Sequence, residues 1–274
     1  MAHDAEYPNN RFWTEYLESA RVFVACGEEI ESELPRVRAL GLGIEVQTFA
    51  QPAVLSAEHG ARLKAVRNAL DENPGPVGFH GAFIDTVHYS LDAEVRAVAL
   101  RRYQQSLEYA AELGAEFVVF HSQYNPLVRL PSYPDLYHEQ SMQVWPGLLE
   151  KADVLGLNVY IENMFDDSPS PLANLMRELD HPRLGVCLDM AHIYLFSQEP
   201  LSAWTQALGS YVTHAHLSDT DGQYDDHLPL GHGVLDVEEF LRLRESLPRL
   251  SSYTLEHDKL QWAETSLAYL GYSA

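Results

Sequence analysis

At 274 residues and 30.9 kDa, the chain holds material for one large domain or two small ones. It carries no uninterrupted apolar stretch of about 18 residues, which excludes a helical bilayer span. Forty acidic against 18 basic side chains leave a net charge of −22 with histidine neutral. That balance disfavours phosphate backbones and anionic lipid, so neither nucleic acid nor a membrane is expected as a partner. Hydrophobic residues make up 46% and charged residues 21%, a composition that excludes disorder and supplies a core.

Residues 1–20 are expected to form an N-terminal extension, partly disordered or helical, ahead of a catalytic domain at 21–274. The segment from Met1 to Trp13 lacks an apolar stretch of signal-peptide length. Cys26 and Cys187 each lie in an apolar run, the usual place of a reduced, buried thiol, so a cytoplasmic protein is expected.

From Arg21 onward, short β-branched runs alternate with helical periodicity. The strands predicted are 21–26, 43–48, 76–80, 116–121, 157–162, 184–189, 211–217 and 251–256. Between the third and fourth, Val95, Val98, Ala99, Tyr103, Leu107 and Ala110 recur at three- and four-residue spacing, which predicts a helix over 92–113 ended by Gly114. A second helix is predicted over 137–154, stopped by Gly156, and Pro171 and Pro200 mark the starts of the next two. Eight βα units in this length, without a Gly-rich phosphate loop after the first strand, predict a single (β/α)8 TIM barrel rather than an open doubly wound sheet.

In such barrels the chemistry sits at the carboxyl ends of the strands. Here those ends carry His80, His121, Glu162, Asp189, His216 and Glu256, and His192, Asp225 and His227 follow close behind. Taken singly, His80 and His121 read as hydrogen-bonded core histidines, Asp189 as the cap of the next helix, and Asp225 and His227 as solvated loop. Taken together on one barrel face, nine buried or half-buried ligand types argue for bound cations, because such groups are costly to desolvate unpaired. Oxygen and nitrogen donors without thiolate suit Zn²⁺, Mn²⁺, Co²⁺ or Fe²⁺.

Several neighbours stay open. Asp226 competes with Asp225. His214 shares a face with His216 one layer deeper and reads as a satisfied interior histidine. His232, in a Gly-flanked turn, either reaches the site or shapes the loop. Asn163 is placed to support Glu162. Phe83, Tyr124, Trp145, Phe165 and Trp262 divide between pocket wall and core.

The motifs His-Gly-Ala-Phe at 80–83, Phe-His at 120–121, Ile-Glu-Asn at 161–163, Asp-Met-Ala-His at 189–192, His-Ala-His-Leu-Ser-Asp at 214–219, Asp-Asp-His-Leu-Pro-Leu-Gly-His-Gly at 225–233 and Glu256 together resemble the xylose isomerase-like TIM-barrel superfamily. That superfamily holds sugar phosphate isomerases and epimerases and also endonuclease IV. In the isomerase branch, the resemblance implies metal ligands at Glu162, Asp189, His216 and Glu256, proton transfer by the two glutamates, and substrate contact by His192. In the endonuclease IV branch, it implies that all nine positions hold three zinc ions. The family often has Glu where His232 stands here.

The charge of −22 favours a small substrate over a polyanion. The function expected is therefore a metal-dependent isomerase or epimerase of carbohydrate metabolism, acting on a sugar, polyol or related small carbonyl compound by proton transfer through an enediolate. The alternative is an endonuclease IV-like multi-zinc phosphodiester hydrolase. Glu162, Glu256 and His192 are the expected catalytic residues. His80, His121, His192, His227 and His232 are expected substrate contacts, and His80, His121, His192, Asp225 and His227 are expected ligands for a second or third metal. The cofactor expected is a divalent ion, Zn, Mn, Co or Mg, one to three per chain. The oligomeric state is left open.

Overall fold

The computed structural model describes residues 21–56 and 59–272. The extension expected over 1–20 lies outside the described residues. Eight strands, β1 (Arg21–Cys26), β2 (Gly43–Val46), β3 (Val77–His80), β4 (Phe117–His121), β5 (Asn158–Glu162), β6 (Leu184–Asp189), β7 (Val212–Leu217) and β8 (Ser252–Leu255), pair in parallel in chain order. The ring closes where Val24 of β1 sits beside Leu255 of β8. The fold is the single (β/α)8 barrel that the alternation of patterns predicts. All eight predicted strands are present, β1 and β6 with the predicted bounds and the others with ends shifted by at most two residues, so Glu256 falls just past β8.

Two packed regions hold the barrel. The larger lies between strands and helices and includes Trp145, Trp204, Phe79, Phe120 and Phe240, each with essentially no exposed surface. Each such side chain contributes about 1.5–3 kcal/mol through removal from water. The smaller fills the barrel interior with Phe23, Phe117, Val119 and Cys187, against Tyr160. There a large ring needs a small neighbour: a Cβ on Gly43 would come within 2.4 Å of the Phe23 ring.

The outer helices are α1 (Ile30–Ala39), α2 (Pro52–Ser56), α3 (His59–Glu72), α4 (Ala93–Glu112), α5 (Tyr133–Leu155), α6 (Ser170–Leu179), α7 (Met190–Phe196), α8 (Leu201–Leu208), α9 (Val237–Leu243) and α10 (Leu260–Tyr269). Helix α4 starts where Asp92 accepts the Glu94 amide at 2.8 Å. Its buried face runs from Ala99 to Ala110, whereas Val95 and Val98 are exposed. A helix of that length spans about 30 Å and outlasts a strand of about 17 Å, so its first turns overhang the sheet. Helix α5 begins four residues before its predicted start, because Pro134 seats its first turn. Among the described residues no helix is long and apolar enough to cross a membrane.

The loops at the carboxyl ends of the strands form one rim. The longest, after β7, spans 218–236, and a single buried carboxylate organises it. Asp219 accepts the amides of Thr220 (2.9 Å), Gly231 (3.0 Å), Gly233 (2.8 Å) and Leu235 (3.1 Å), so its charge is spread over four donors. Gly233 is required there, since a Cβ would sit 2.3 Å from Asp219 Oδ1 and 2.2 Å from the Thr220 carbonyl.

Candidate metal centre and active site

Strand alternation delivers the predicted residues to one place. Glu162 ends β5, Asp189 ends β6, His216 lies in β7 and Glu256 follows β8. One ligand atom from each of these four lies within 4.8 Å of the others, and all four are buried. His80, His121 and Glu162 form a second such group, so Glu162 belongs to both.

Glu162 is the hub. Its Oε1 faces His216 Nδ1 at 3.2 Å and His192 Nδ1 at 3.3 Å, and its Oε2 faces His80 Nε2 at 3.5 Å and His121 Nε2 at 3.4 Å. Asp189 satisfies both of its sequence readings at once. Its Oδ1 caps α7 by accepting the His192 amide at 2.7 Å, and its Oδ2 stays without a hydrogen bond. Asn163 clasps this strand end: its amide donates to the Asp189 carbonyl at 2.9 Å, and its own oxygen accepts the Asp189 amide at 3.0 Å.

His192 packs its Nδ1 2.9 Å from the Asn163 carbonyl and its Nε2 3.1 Å from Asp225 Oδ2. This separates the two adjacent aspartates. Asp225 lies at the site, 3.4 Å from His227 Nε2, whereas Asp226 accepts the Asp221 amide in the loop at 3.3 Å. His227 holds a left-handed backbone, φ 46°, strained for a residue with a Cβ. His232 is exposed and is not among the residues that line the cavity. Of the aromatic residues, Phe83 walls the cavity, Trp145 is core, Tyr124 joins Tyr133 and Tyr137 in a separate cluster, Phe165 is exposed, and Trp262 stacks under Lys259.

A cavity of about 460 Å³ opens above this ring, lined by His80, His121, His192, Asp225, His227 and Glu256 together with Gln47, Thr48, Phe83 and Met164. Neither lysine nor arginine lines it among the described residues.

Three contributors were not among the predicted residues. Gln47 donates to Glu256 Oε1 at 2.6 Å. His257 meets the His227 carbonyl at 2.8 Å and Ser266 Oγ at 2.8 Å, tying the β7 loop to α10. Glu45, wholly buried in β2, faces His216. A charge between Ile44 and Val46 was the available clue. His214, by contrast, is the satisfied interior histidine expected, bonded to Ser252 at 2.7 Å and Thr254 at 2.9 Å.

The electrostatics fit a cation. Burial drives the Asp189 carboxyl up, His192 pulls back, and repulsion from Glu162 and Glu256 adds to the rise, to about 7. Burial also raises Glu256, but His216 and His227 outweigh it and hold that carboxyl at about 2. Glu162 Oε2, Asp189 Oδ2 and Glu256 Oε2 are buried acceptors without a hydrogen bond. Converging acceptors of one charge, with imidazole lone pairs beside them, form a ligand set for a divalent ion.

A separate carboxylate lies behind this wall. Asp166 is buried, and its Oδ2 accepts the Ser122 hydroxyl and, at 3.0 Å, the Met164 amide. Burial lifts it to about 6 against the pull of those two bonds. The folded state therefore keeps a proton that the unfolded chain releases near pH 4, so stability falls as pH rises from about 4 to about 6, by about 3 kcal/mol. Asp166→Asn is expected to match or exceed the parent in urea melts at pH 7.5 and to lose that advantage below pH 5. A difference independent of pH would contradict the assignment.

Residues 36–269 match the family model described as xylose isomerase-like TIM barrel. A protein of Methanocaldococcus jannaschii, itself uncharacterized, is 26% identical over 191 residues, 67% of this chain and 65% of that protein. The fructoselysine 3-epimerase of Escherichia coli O157:H7 is 21% identical over 157 residues, 55% of this chain and 56% of the enzyme. The match thus spans less than two thirds of either relative. A Thermus thermophilus protein solved after soaking with ZnCl2 superposes with a TM-score of 0.75 at 33% identity, covering 91% of this chain and 96% of that one. With most of its length matched by the family model, this chain belongs to the xylose isomerase-like TIM barrel family.

Proposed function

We propose that this protein is a metal-dependent isomerase or epimerase acting on an unphosphorylated sugar, polyol or related small carbonyl compound. The observation that carries this reading is the buried convergence of Glu162, Asp189, His216 and Glu256, the last of which lines the cavity. These four residues would hold one divalent ion. When bound, the ion would polarise adjacent substrate oxygens and acidify the C–H between them.

Glu162 and Glu256 arrive from different strands, so one removes the proton beside the carbonyl and the other returns it on the opposite face. Both are ionised near neutral pH, Glu256 under the pull of His216 and His227. His192, fixed by the Asn163 carbonyl, points Nε2 toward Asp225 and orients a substrate oxygen. Phe83 and Met164 supply an apolar wall that limits water. The absence of lysine and arginine from the described lining supports a substrate without phosphate. The similarity to fructoselysine 3-epimerase supports the same reaction class. The two buried free cysteines suit a reducing, cytoplasmic setting.

A specific observation favours a second reading. His80 Nδ1 sits 3.0 Å from the Gly81 carbonyl, which leaves its Nε2 lone pair facing Glu162 Oε2 beside His121 Nε2. With His192, Asp225 and His227, that group would serve a multi-zinc phosphodiester hydrolase.

Two measurements separate the readings. Ketoses and aldoses are incubated with the protein in D2O, and carbon-bound deuterium is read by NMR, while elemental analysis gives metal per chain. Exchange at the carbon beside the carbonyl, with about one ion per chain, is expected. No exchange across the panel, with two or three zinc ions, would count against the isomerase reading and favour the hydrolase.

A further inference from the structure

Glu45 is wholly buried in β2 between Ile44 and Val46. A carboxylate in such surroundings is costly unless its oxygens are engaged. Its Oε2 accepts the Thr254 hydroxyl at 2.5 Å and lies 3.3 Å from His216 Nε2, while its Oε1, also 3.3 Å from that nitrogen, makes no hydrogen bond of its own. Below Thr254 the contacts continue to His214 Nε2 at 2.9 Å, and from His214 Nδ1 to Ser252 Oγ at 2.7 Å. All these groups are buried, and the ladder rests on aromatic rings, Phe117 at 4.7 Å and Tyr160 at 5.8 Å from the His214 ring.

The donors in this ladder can be assigned from chemistry alone. An ionised carboxylate only accepts, so the Thr254 hydroxyl donates to Glu45. Thr254 Oγ1 then accepts from His214 Nε2–H, and the Ser252 hydroxyl donates to His214 Nδ1. By the same rule Glu45 accepts from His216 Nε2–H. To serve as a metal ligand His216 must be a neutral imidazole, and with its proton on Nε2 such a ring presents a lone pair at Nδ1. That atom faces Glu162 Oε1 at 3.2 Å and Glu256 Oε2 at 2.8 Å, inside the four-residue ligand group.

We infer that Glu45, seated by Thr254, is a positioning residue: it fixes His216 in the Nε2–H tautomer and aims Nδ1 at the metal. The inference rests on the reading that this group holds a divalent ion. Carboxylate–histidine–metal arrangements raise ligand basicity and lock the ring, and loss of the carboxylate typically costs 10–100-fold in metal affinity. The partners come from strands on two sides of the barrel closure, β2 and β8, so the arrangement also fixes where His216 stands in the ring.

The test uses Co²⁺ alone, with its visible absorption as the readout, on the full chain and on Glu45→Gln and Thr254→Val. Glu45→Gln keeps the volume and removes the charge, and is expected to bind Co²⁺ about 10–100-fold more weakly with an altered spectrum. Thr254→Val, which frees the carboxylate without removing it, is expected to lose less. In parallel, ring ¹⁵N NMR of histidine-labelled wild type is expected to show the proton on His216 Nε2 and the metal-induced shift on Nδ1, a measurement that holds even if Glu45→Gln does not fold. Binding by Glu45→Gln as tight as wild type with the same spectrum, or coordination through Nε2, would overturn the inference and leave the metal reading intact. A wild type that binds no Co²⁺ would overturn both.

Discussion

Glu256→Gln is expected to lower turnover at least about a thousandfold, and Glu162→Gln comparably, with little change in fold. Gln is isosteric, and its carbonyl can still accept from Gln47, which holds Glu256 Oε1 at 2.6 Å. What changes is the other oxygen, Oε2, which makes no hydrogen bond and lies 2.8 Å from His216 Nδ1. An amide there has no charge to offer a cation and no basic site for a proton. Loss of proton transfer alone accounts for about 10²–10⁴-fold, and weakened metal binding adds to it. Metal content measured on the same samples separates the two causes. On the proposed reading, a variant that keeps its metal but not its turnover has lost the proton carrier. Full activity in both variants on an identified substrate would end that reading.

Metal removal is expected to lower the melting temperature by about 8–16 °C. Saturation at about a thousandfold over the dissociation constant contributes about 4 kcal/mol, and a chain of this size shifts by about 2–4 °C per kcal/mol. Glu45, Glu162, Asp189 and Glu256 crowd one buried region, so stripping the cation leaves like charges facing one another. Burial lifts the Asp189 carboxyl to about 7, and repulsion from Glu162 and Glu256 adds to the rise. Because Asp189 must be unprotonated to bind, metal affinity is expected to fall as pH falls below about 7. Scanning calorimetry before and after chelation, with metal content verified, reads the shift. An unchanged melt after verified removal would contradict the claim.

Much of this molecule was legible without coordinates, for reasons that can be named residue by residue. Strand side chains alternate, and barrel chemistry sits at strand ends, so Glu162, Asp189 and His216 announced themselves as polar residues closing apolar runs. Glu256 did the same, one residue past β8. His214, two residues before His216, was readable as interior by the same alternation. Val95 and Val98 share the apolar periodicity of α4 yet stand exposed, because helical periodicity says which residues share a face but not how far the sheet beneath extends.

The sequence by itself determined the eight βα units, their order, and the ring of ligand types, because each is written in local periodicity and in what terminates it. Only the tertiary structure decided which oxygens of those side chains stay free, that Asp225 rather than Asp226 meets His192, and that His232 stands outside the cavity. It alone brought Glu45 to His216, 171 positions away, and to Thr254, 209 away. The physical reason is closure: contacts made by joining β8 to β1 leave no trace in any local pattern, since neither partner's neighbours along the chain take part in them.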